Sequence, residues 1–290
     1  MYISVFICKS ASKIRNGTKT EISYTFIIYI YNNQPITLEC VAMAENKKNP
    51  ASGSRMRTIE LFYRPVFDIH LNMAIDFETV MKINDRIQGV IPEKIFMPVA
   101  EKSNQVVQLN LWAVEEACEA IKRCAEREVD MNSVIIWVSV KTLTKKNFVT
   151  QVKKIVDKYG ISPDSICFNI TESILEAVKD KVKATIDALR ELEFRVAIDD
   201  LGLEYTSLSN LAHYDLDYIG IHESMIEDIL YSEKVQNTVQ GIIDFCKKID
   251  TQVLVNGIET KEVFDLINKM GADRFSGPYF GEFVKDKQIN

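Results

Sequence analysis

From residue 59 onward the chain alternates short apolar runs with amphipathic stretches. Runs rich in β-branched and aromatic residues fall at Ile59–Asp68, Met73–Met81, Val134–Val140, Ile166–Ile170, Arg195–Asp199, Tyr218–Ile221, Gln252–Val255 and Arg274–Ser276. Their composition and length mark them as strands. Between most of them the apolar residues recur in steps of three and four, as on one face of a helix. Val107, Leu111, Val114, Cys118, Ile121 and Ala125 form one such stripe, and Ile174, Val178, Val182, Ile186, Leu189 and Leu192 a second. Val239, Ile242, Cys246 and Ile249 form a third, and Val263, Leu266, Ile267 and Met270 a fourth. Alternating strands and helices imply an α/β fold of parallel strands with helices outside. Eight strands over about 250 residues fit a closed (β/α)8 TIM-barrel-like architecture better than an open sheet. An open doubly wound sheet stays compatible with the pattern alone. No glycine-rich phosphate loop follows an early strand, which counts against a nucleotide-binding sheet.

The first 54 residues differ in character. Tyr24–Tyr31 reads as a strand, and Asn32-Asn33-Gln34-Pro35 as a turn. Thr37–Lys48 reads as a short helix, and residues 49–54, Asn-Pro-Ala-Ser-Gly-Ser, as a linker. The chain thus divides into an N-terminal extension, 1–54, and a barrel domain, 55–290.

The barrel reading places site residues at the carboxyl ends of strands. Those ends carry Glu78, Lys141, Asn169 with Glu172, Asp199 with Asp200, His222, Asn256 with Glu259, and Ser276. The most pointed is Val196-Ala197-Ile198-Asp199-Asp200-Leu201-Gly202, an apolar run that stops in two carboxylates. Two adjacent aspartates cost free energy unless water, a cation or hydrogen-bond donors compensate them. Such a pair is a candidate metal or ligand site. Any strand leaving a core must also meet polar loops, and the pattern by itself weighs the two readings evenly.

Composition narrows the class. At 290 residues, 47% hydrophobic and 26% charged, the chain is of ordinary globular type. A net charge of -6 argues against a nucleic-acid surface. The six cysteines, Cys8, Cys40, Cys118, Cys124, Cys167 and Cys246, include no Cys-x-x-Cys pair. They read as reduced thiols in a cytoplasmic setting. Ile22–Tyr31 is too short to span a bilayer, and the first residues lack the basic region of a secretory signal.

An ordered series of motifs then resembles the EAL domain family of cyclic-di-GMP phosphodiesterases. Residues 62–68, Phe-Tyr-Arg-Pro-Val-Phe-Asp, resemble the family's opening Y-Q-P-I strand, and Phe77-Glu78-Thr79-Val80-Met81-Lys82 stands at E-A-L-L-R. Ile95–Glu101 resembles F-I-P-x-A-E, Val138–Thr142 stands at V-x-V-N-L-S, and Asn169–Ser173 at E-x-T-E-S. Asp199–Leu208 resembles D-D-F-G-T-G-Y-S-S-L, Ile219–His222 stands at L-K-I-D, and Val255–Thr260 resembles A-E-G-V-E-T. Phe275–Phe280 resembles the closing V-Q-G-Y-x-F. The resemblance runs from about residue 57 to about residue 285.

The family implies hydrolysis of a phosphodiester by water activated at two magnesium or manganese ions held by carboxylates and an asparagine. Of the implied catalytic and metal positions, Glu78, Asp199, Asp200 and Glu259 remain. The others are substituted: Lys141 stands for the asparagine, Asn169 and Asn256 for glutamates, Gly220 for a lysine, His222 for an aspartate and Ser276 for a glutamine. Amides, an imidazole and an ammonium replace ligands where a hard divalent cation wants anionic oxygen. The resemblance therefore implies an EAL-type module that does not cut cyclic-di-GMP, with an atypical metal-dependent phosphodiesterase as the alternative. Lys141 is expected to stand in for the missing charge by pairing with Glu78 or Asp199, leaving the metal position at Glu78, Asp199 and Asp200 a remnant. His222, with no His or Cys partner at ligand spacing, is expected to be a hydrogen-bonded barrel residue rather than a ligand.

Cyclic-di-GMP binding without cleavage would draw on Arg64 and Lys82, with Glu78, Asp199 and Pro278 at the ligand. Ion bridges from the two basic residues to Glu78 or Asp199 are the competing reading. Leu201, Leu203 and Glu204 depart from the family's Phe, Thr and Gly in the loop that supports metal binding and dimerisation. A regulatory role through a protein partner follows, with a homodimer open. The N-terminal piece, in this light, is either a relic of a preceding GGDEF-type domain or a β-hairpin cap.

Overall fold

A computed structural model of the chain describes residues 5–8, 24–29, 35–40, 58–85, 89–102, 105–171, 178–201, 211 and 213–289. Two compact units emerge, Met1–Leu61 with Met81–Val106, and Phe62–Val80 with Val107–Asn290.

In the first unit, β1 (Val5–Cys8), β2 (Tyr24–Tyr29) and β3 (Pro35–Cys40) make an antiparallel sheet in that order. The helix expected over Thr37–Lys48 is therefore corrected at its start, and residues 41–48 lie outside the described ones. Ile36 and Thr37 are β-branched, and β2 offers them a full ladder from Tyr29↔Pro35 to Tyr24↔Cys40. Proline is tolerated there because it opens the strand. The linker expected at residues 49–54 also lies outside the described residues. β4 (Thr58–Asp68) and β5 (Met73–Asp85) each cross the boundary between units. Within the first unit, the Met81–Asp85 part of β5 pairs antiparallel with β6 (Gly89–Pro92), which leads into helix α1 (Glu93–Lys102). There the Met81 amide donates to Glu93 Oε2 at 2.6 Å.

The second unit holds the barrel. Its helix α2 (Gln105–Ala125) precedes β7 (Ser133–Trp137), and α3 (Val140–Leu143) and α4 (Phe148–Tyr159) precede β8 (Ile166–Thr171). Next come α5 (Lys179–Glu191), β9 (Arg195–Leu201), β10 (Tyr218–Ile221), α6 (Glu233–Lys248), β11 (Gln252–Val255), α7 (Lys261–Met270) and β12 (Arg274–Ser276). The strand order β4-β12-β11-β10-β9-β8-β7-β5 closes through a β4–β5 pairing into an eight-stranded barrel. Neighbours from β5 through β7 to β12 run parallel, and β4 meets β12 antiparallel. The expected barrel is thus present with one strand reversed, because the tight β4–β5 turn leaves no room for a crossover helix.

The barrel interior is layered by the two-residue period of its strands. Val66, Ile135, Cys167, Ala197, Tyr218 and Leu254 form a buried central cluster. Two residues beyond these, at the carboxyl ends of the parallel strands, come Asn169, Asp199, Gly220 and Asn256, with Arg64 at the matching level of reversed β4. On the other side of the cluster lie Asp68, Asp76, Ser133, Arg195 and Arg274. Outside, the expected α5 stripe is buried at Val182, Ile186 and Leu189, while α6 buries Ile243 in place of Ile242. Among the described residues no helix is long and apolar enough to cross a membrane.

Candidate functional site

Glu78, Asn169, Asp199, Asp200, Asn256, Ser276 and Arg64 meet at the carboxyl-end layer. Glu78 Oε1 accepts from Arg64 Nε at 2.5 Å and from the Ser276 hydroxyl. The Arg64 guanidinium lies 4.3 Å from the centre of the Phe283 ring, a cation–π contact that holds its plane. Burial pushes the Glu78 carboxyl up from its ordinary value, against the pull of Arg64 and Ser276. The ion-bridge reading of Arg64 is therefore what the structure contains.

Asp199 is held differently. Its Oδ2 accepts from Asn169 Nδ2 at 2.7 Å, and its Oδ1 from Asn256 Nδ2 at 2.8 Å and from the Asp200 amide at 2.9 Å. The carboxylate turns each amide so that N–H faces it. The carbonyl oxygens of both asparagines are then buried with no hydrogen-bond partner among the described residues. A buried acceptor left this way costs roughly 1–3 kcal/mol.

A bulge sets the two aspartates apart. Ile198 pairs with Ile219 and Leu201 with Ile221, so Asp199 and Asp200 together oppose Gly220. Asp200 takes the left-handed φ of 63° that such an insertion needs. Burial and the neighbouring Asp199 raise its carboxyl to about 6, with His222 working the other way.

Lys141 requires a correction. It is not at a strand end, because β7 stops at Trp137 and Ser139 caps helix α3, its hydroxyl accepting the Lys141 amide at 3.2 Å. Among the described residues, the side chains that hold Glu78 include Arg64 and Ser276, and those that hold Asp199 are the amides of Asn169 and Asn256. The residue that shapes this turn is Asn110 of α2, absent from the sequence reading. Its Nδ2 donates to the Trp137 carbonyl at 2.9 Å, and its Oδ1 accepts from the Ser139 amide at 3.2 Å and the Thr142 hydroxyl at 2.8 Å. A polar asparagine amid Leu109, Leu111 and Ala113 is the signal the sequence offers, and the structure buries it fully.

His222 caps a short 3-10 turn, with the Ser224 amide donating to its Nδ1 at 3.2 Å. Glu259 and Pro278 are exposed. Lys82 belongs to the other unit, where it pairs with Pro92 across β5 and β6. Glu172, Leu203 and Glu204 lie outside the described residues.

Among the described residues the donor chemistry does not fit a pair of divalent ions. Asp199 has both oxygens engaged by N–H donors, and Glu78 Oε1 faces a guanidinium. Among the described residues no three His, Cys, Asp or Glu side chains are placed to hold a metal ion.

A closed barrel with acidic and amide side chains gathered at its carboxyl end is the class of protein seen here. Residues 51–282 match the EAL domain family, and the chain belongs to it. It is 25% identical over 229 residues to the signaling protein YkoW of Bacillus subtilis, covering 79% of this chain and 28% of that protein. It is 24% identical over 222 residues to the cyclic di-GMP phosphodiesterase NbdA of Pseudomonas aeruginosa, covering 77% of this chain and 28% of NbdA. Among solved structures, the PaMucR phosphodiesterase in complex with c-di-GMP superposes with a TM-score of 0.75 at 20% identity, covering 80% of this chain and 94% of that one. The chain spans about three tenths of the length of the curated relatives it matches. Proteins of this family act in cyclic-di-GMP signalling, and phosphodiesterases are among them.

Proposed function

We propose that this chain is a non-catalytic EAL-type regulatory module of cytoplasmic cyclic-di-GMP signalling. It acts through a protein partner and binds the intact dinucleotide. The observation that carries this reading is the double amide grip on Asp199, which spends on N–H donors the oxygens that a hydrolytic metal would need. One further feature supports ligand binding. Arg64 is tethered through Nε, and its terminal nitrogens have no hydrogen-bond partner among the described residues. A guanidinium held in this way suits a phosphate oxygen.

The alternative is a metal-dependent phosphodiesterase using magnesium or manganese at Glu78, Asp199 and Asp200. It draws on the Asp200 carboxylate, which accepts no hydrogen bond from the described residues.

Calorimetric titration with cyclic-di-GMP in EDTA and then in magnesium, followed by product analysis, separates these. Micromolar or tighter binding in EDTA, with intact ligand recovered and affinity lost in Arg64→Ala, is the expected result. Linear dinucleotide in the magnesium sample, absent from a Glu78→Ala control, would overturn the non-catalytic reading. No heat and no product would remove the ligand and leave the protein contact.

A further inference from the structure

We propose that Gly220 is the positioning residue that lets this chain hold its central carboxylate without a metal. The space left by its missing side chain is the space into which Asp199 turns to meet Asn169 and Asn256. The inference rests on the non-catalytic reading only in treating the grip as the resting state of the site.

The geometry is specific. A Cβ built on Gly220 would lie 1.9 Å from Asp199 Oδ1 and 2.8 Å from its Cγ. Both distances are far inside contact, so no residue with a side chain fits while Asp199 keeps this rotamer. The severe clash is with a side chain that can rotate, and the Asp199 Cα at 3.3 Å adds a milder backbone contact, which makes residue 220 chiefly a selector of the Asp199 rotamer. The backbone does not explain the glycine either. Gly220 sits in β10 in ladder register with Leu254, and it is not among the glycines with positive φ. A strand interior otherwise disfavours glycine, for it loses backbone entropy and packs nothing.

Three substitutions thus act as one unit. Gly220 opens the space, and Asn169 and Asn256 fill the coordination of the carboxylate that enters it. Glutamates at 169 and 256 would face Asp199 with like charge and expel it or demand a cation. A lysine at 220 would displace it sterically.

A double-mutant cycle tests the coupling. Gly220→Ala is expected to lower the melting temperature by roughly 5–10 °C in the native chain. In an Asp199→Ala background, where only the 3.3 Å approach to the residue-199 Cα remains, the same change should cost less than about half as much. Gly241→Ala is the control, since a Cβ there meets nothing within 4 Å. Equal losses in both backgrounds would overturn the proposal. A second arm does not depend on Gly220→Ala folding. Manganese titrations should show the triple variant Asn169→Glu/Asn256→Glu/Gly220→Ser, whose added side chain is neutral, binding at least about tenfold tighter than the Asn169→Glu/Asn256→Glu pair. Equal manganese affinity would sink the idea. In the native chain, the side-chain amide protons of Asn169 and Asn256 should exchange slowly and ignore added magnesium. Rapid exchange would count against the grip. Magnesium-dependent turnover by the native chain would remove the proposed function and leave the outcome of the cycle to be read separately.

Discussion

The two ends of the barrel interior both gather carboxylates, and they neutralise them by opposite means. At the amino end, Asp76 is 2% exposed and is paired with Arg274 through the latter's Nη1, with Arg195 Nη1 at 3.7 Å. It also accepts from Ser133 Oγ at 2.7 Å and Asn132 Nδ2 at 3.1 Å. Arg274 Nη2 reaches Asp68 Oδ2 at 3.2 Å as well. Burial raises the Asp76 carboxyl, but Arg274, the two hydrogen bonds and Arg195 outweigh it and hold the group below its usual range. At the carboxyl end, one arginine serves Glu78, neutral amides serve Asp199, and Asp200 accepts no hydrogen bond from the described residues. Glu78 and Asp200 are accordingly raised, Asp200 to about 6. A fully paired network is a structural plug. An incompletely paired one keeps groups available to a ligand and forgoes stability to do so.

Breaking the plug is the largest expected effect. Asp76→Ala removes the buried carboxylate shared by Arg274 and Arg195, leaving Arg274 only Asp68, and should cost roughly 3–5 kcal/mol in urea denaturation. A loss under about 1 kcal/mol would erase the distinction between the ends. Glu78→Gln is the matched change at the other end. Glutamine can still accept from Arg64 and Ser276, so stability should move by less than about 1.5 kcal/mol, while affinity for an anionic ligand should change.

The ends should also differ in pH response. Asp76 has a depressed value, so its contribution is present above the unfolded carboxyl range and is lost as pH falls through its folded value. Asp200 has a raised value, so its folded form binds a proton more tightly than the unfolded chain. Its stabilisation is present below pH about 4 and is lost as pH rises towards about 6. Asp200→Asn should flatten stability over that window, raising it at pH 7 by about 1 kcal/mol once solvent screening of a half-exposed group is allowed for. Asparagine also tolerates the left-handed conformation. Unchanged pH dependence in this variant would place the titration elsewhere.

The strands were legible because each is a short β-branched or aromatic run that ends where polar residues begin. Six of the eight barrel strands are bounded to within two residues of where they lie, while β5 runs on past Met81 to Asp85 and β7 stops short of Val140 at Trp137. β7 was overextended because Val138 and Val140 have strand chemistry, and only Asn110 and the Ser139 cap turn the chain there. The α6 stripe was read through Ile242 where Ile243 faces inward, since two adjacent isoleucines satisfy the period equally. In the N-terminal extension, a ladder partner overrode the local helix reading at Thr37–Cys40.

What the sequence determined by itself is the alternation of elements, the family, and which family positions carry altered chemistry. Local pattern suffices for these, because strand and helix periods and motif order are properties of neighbouring residues. Tertiary structure alone decided how the altered positions act together. Asn169, Gly220 and Asn256 stand on or just beyond three different strands, and their single shared partner is Asp199. A glycine's missing Cβ has meaning only when a neighbouring strand carries a side chain into the space. The reversal of β4, the bulge at Asp199 and Asp200, and the seating of Arg64 beside Glu78 arise the same way, from distances between segments far apart along the chain.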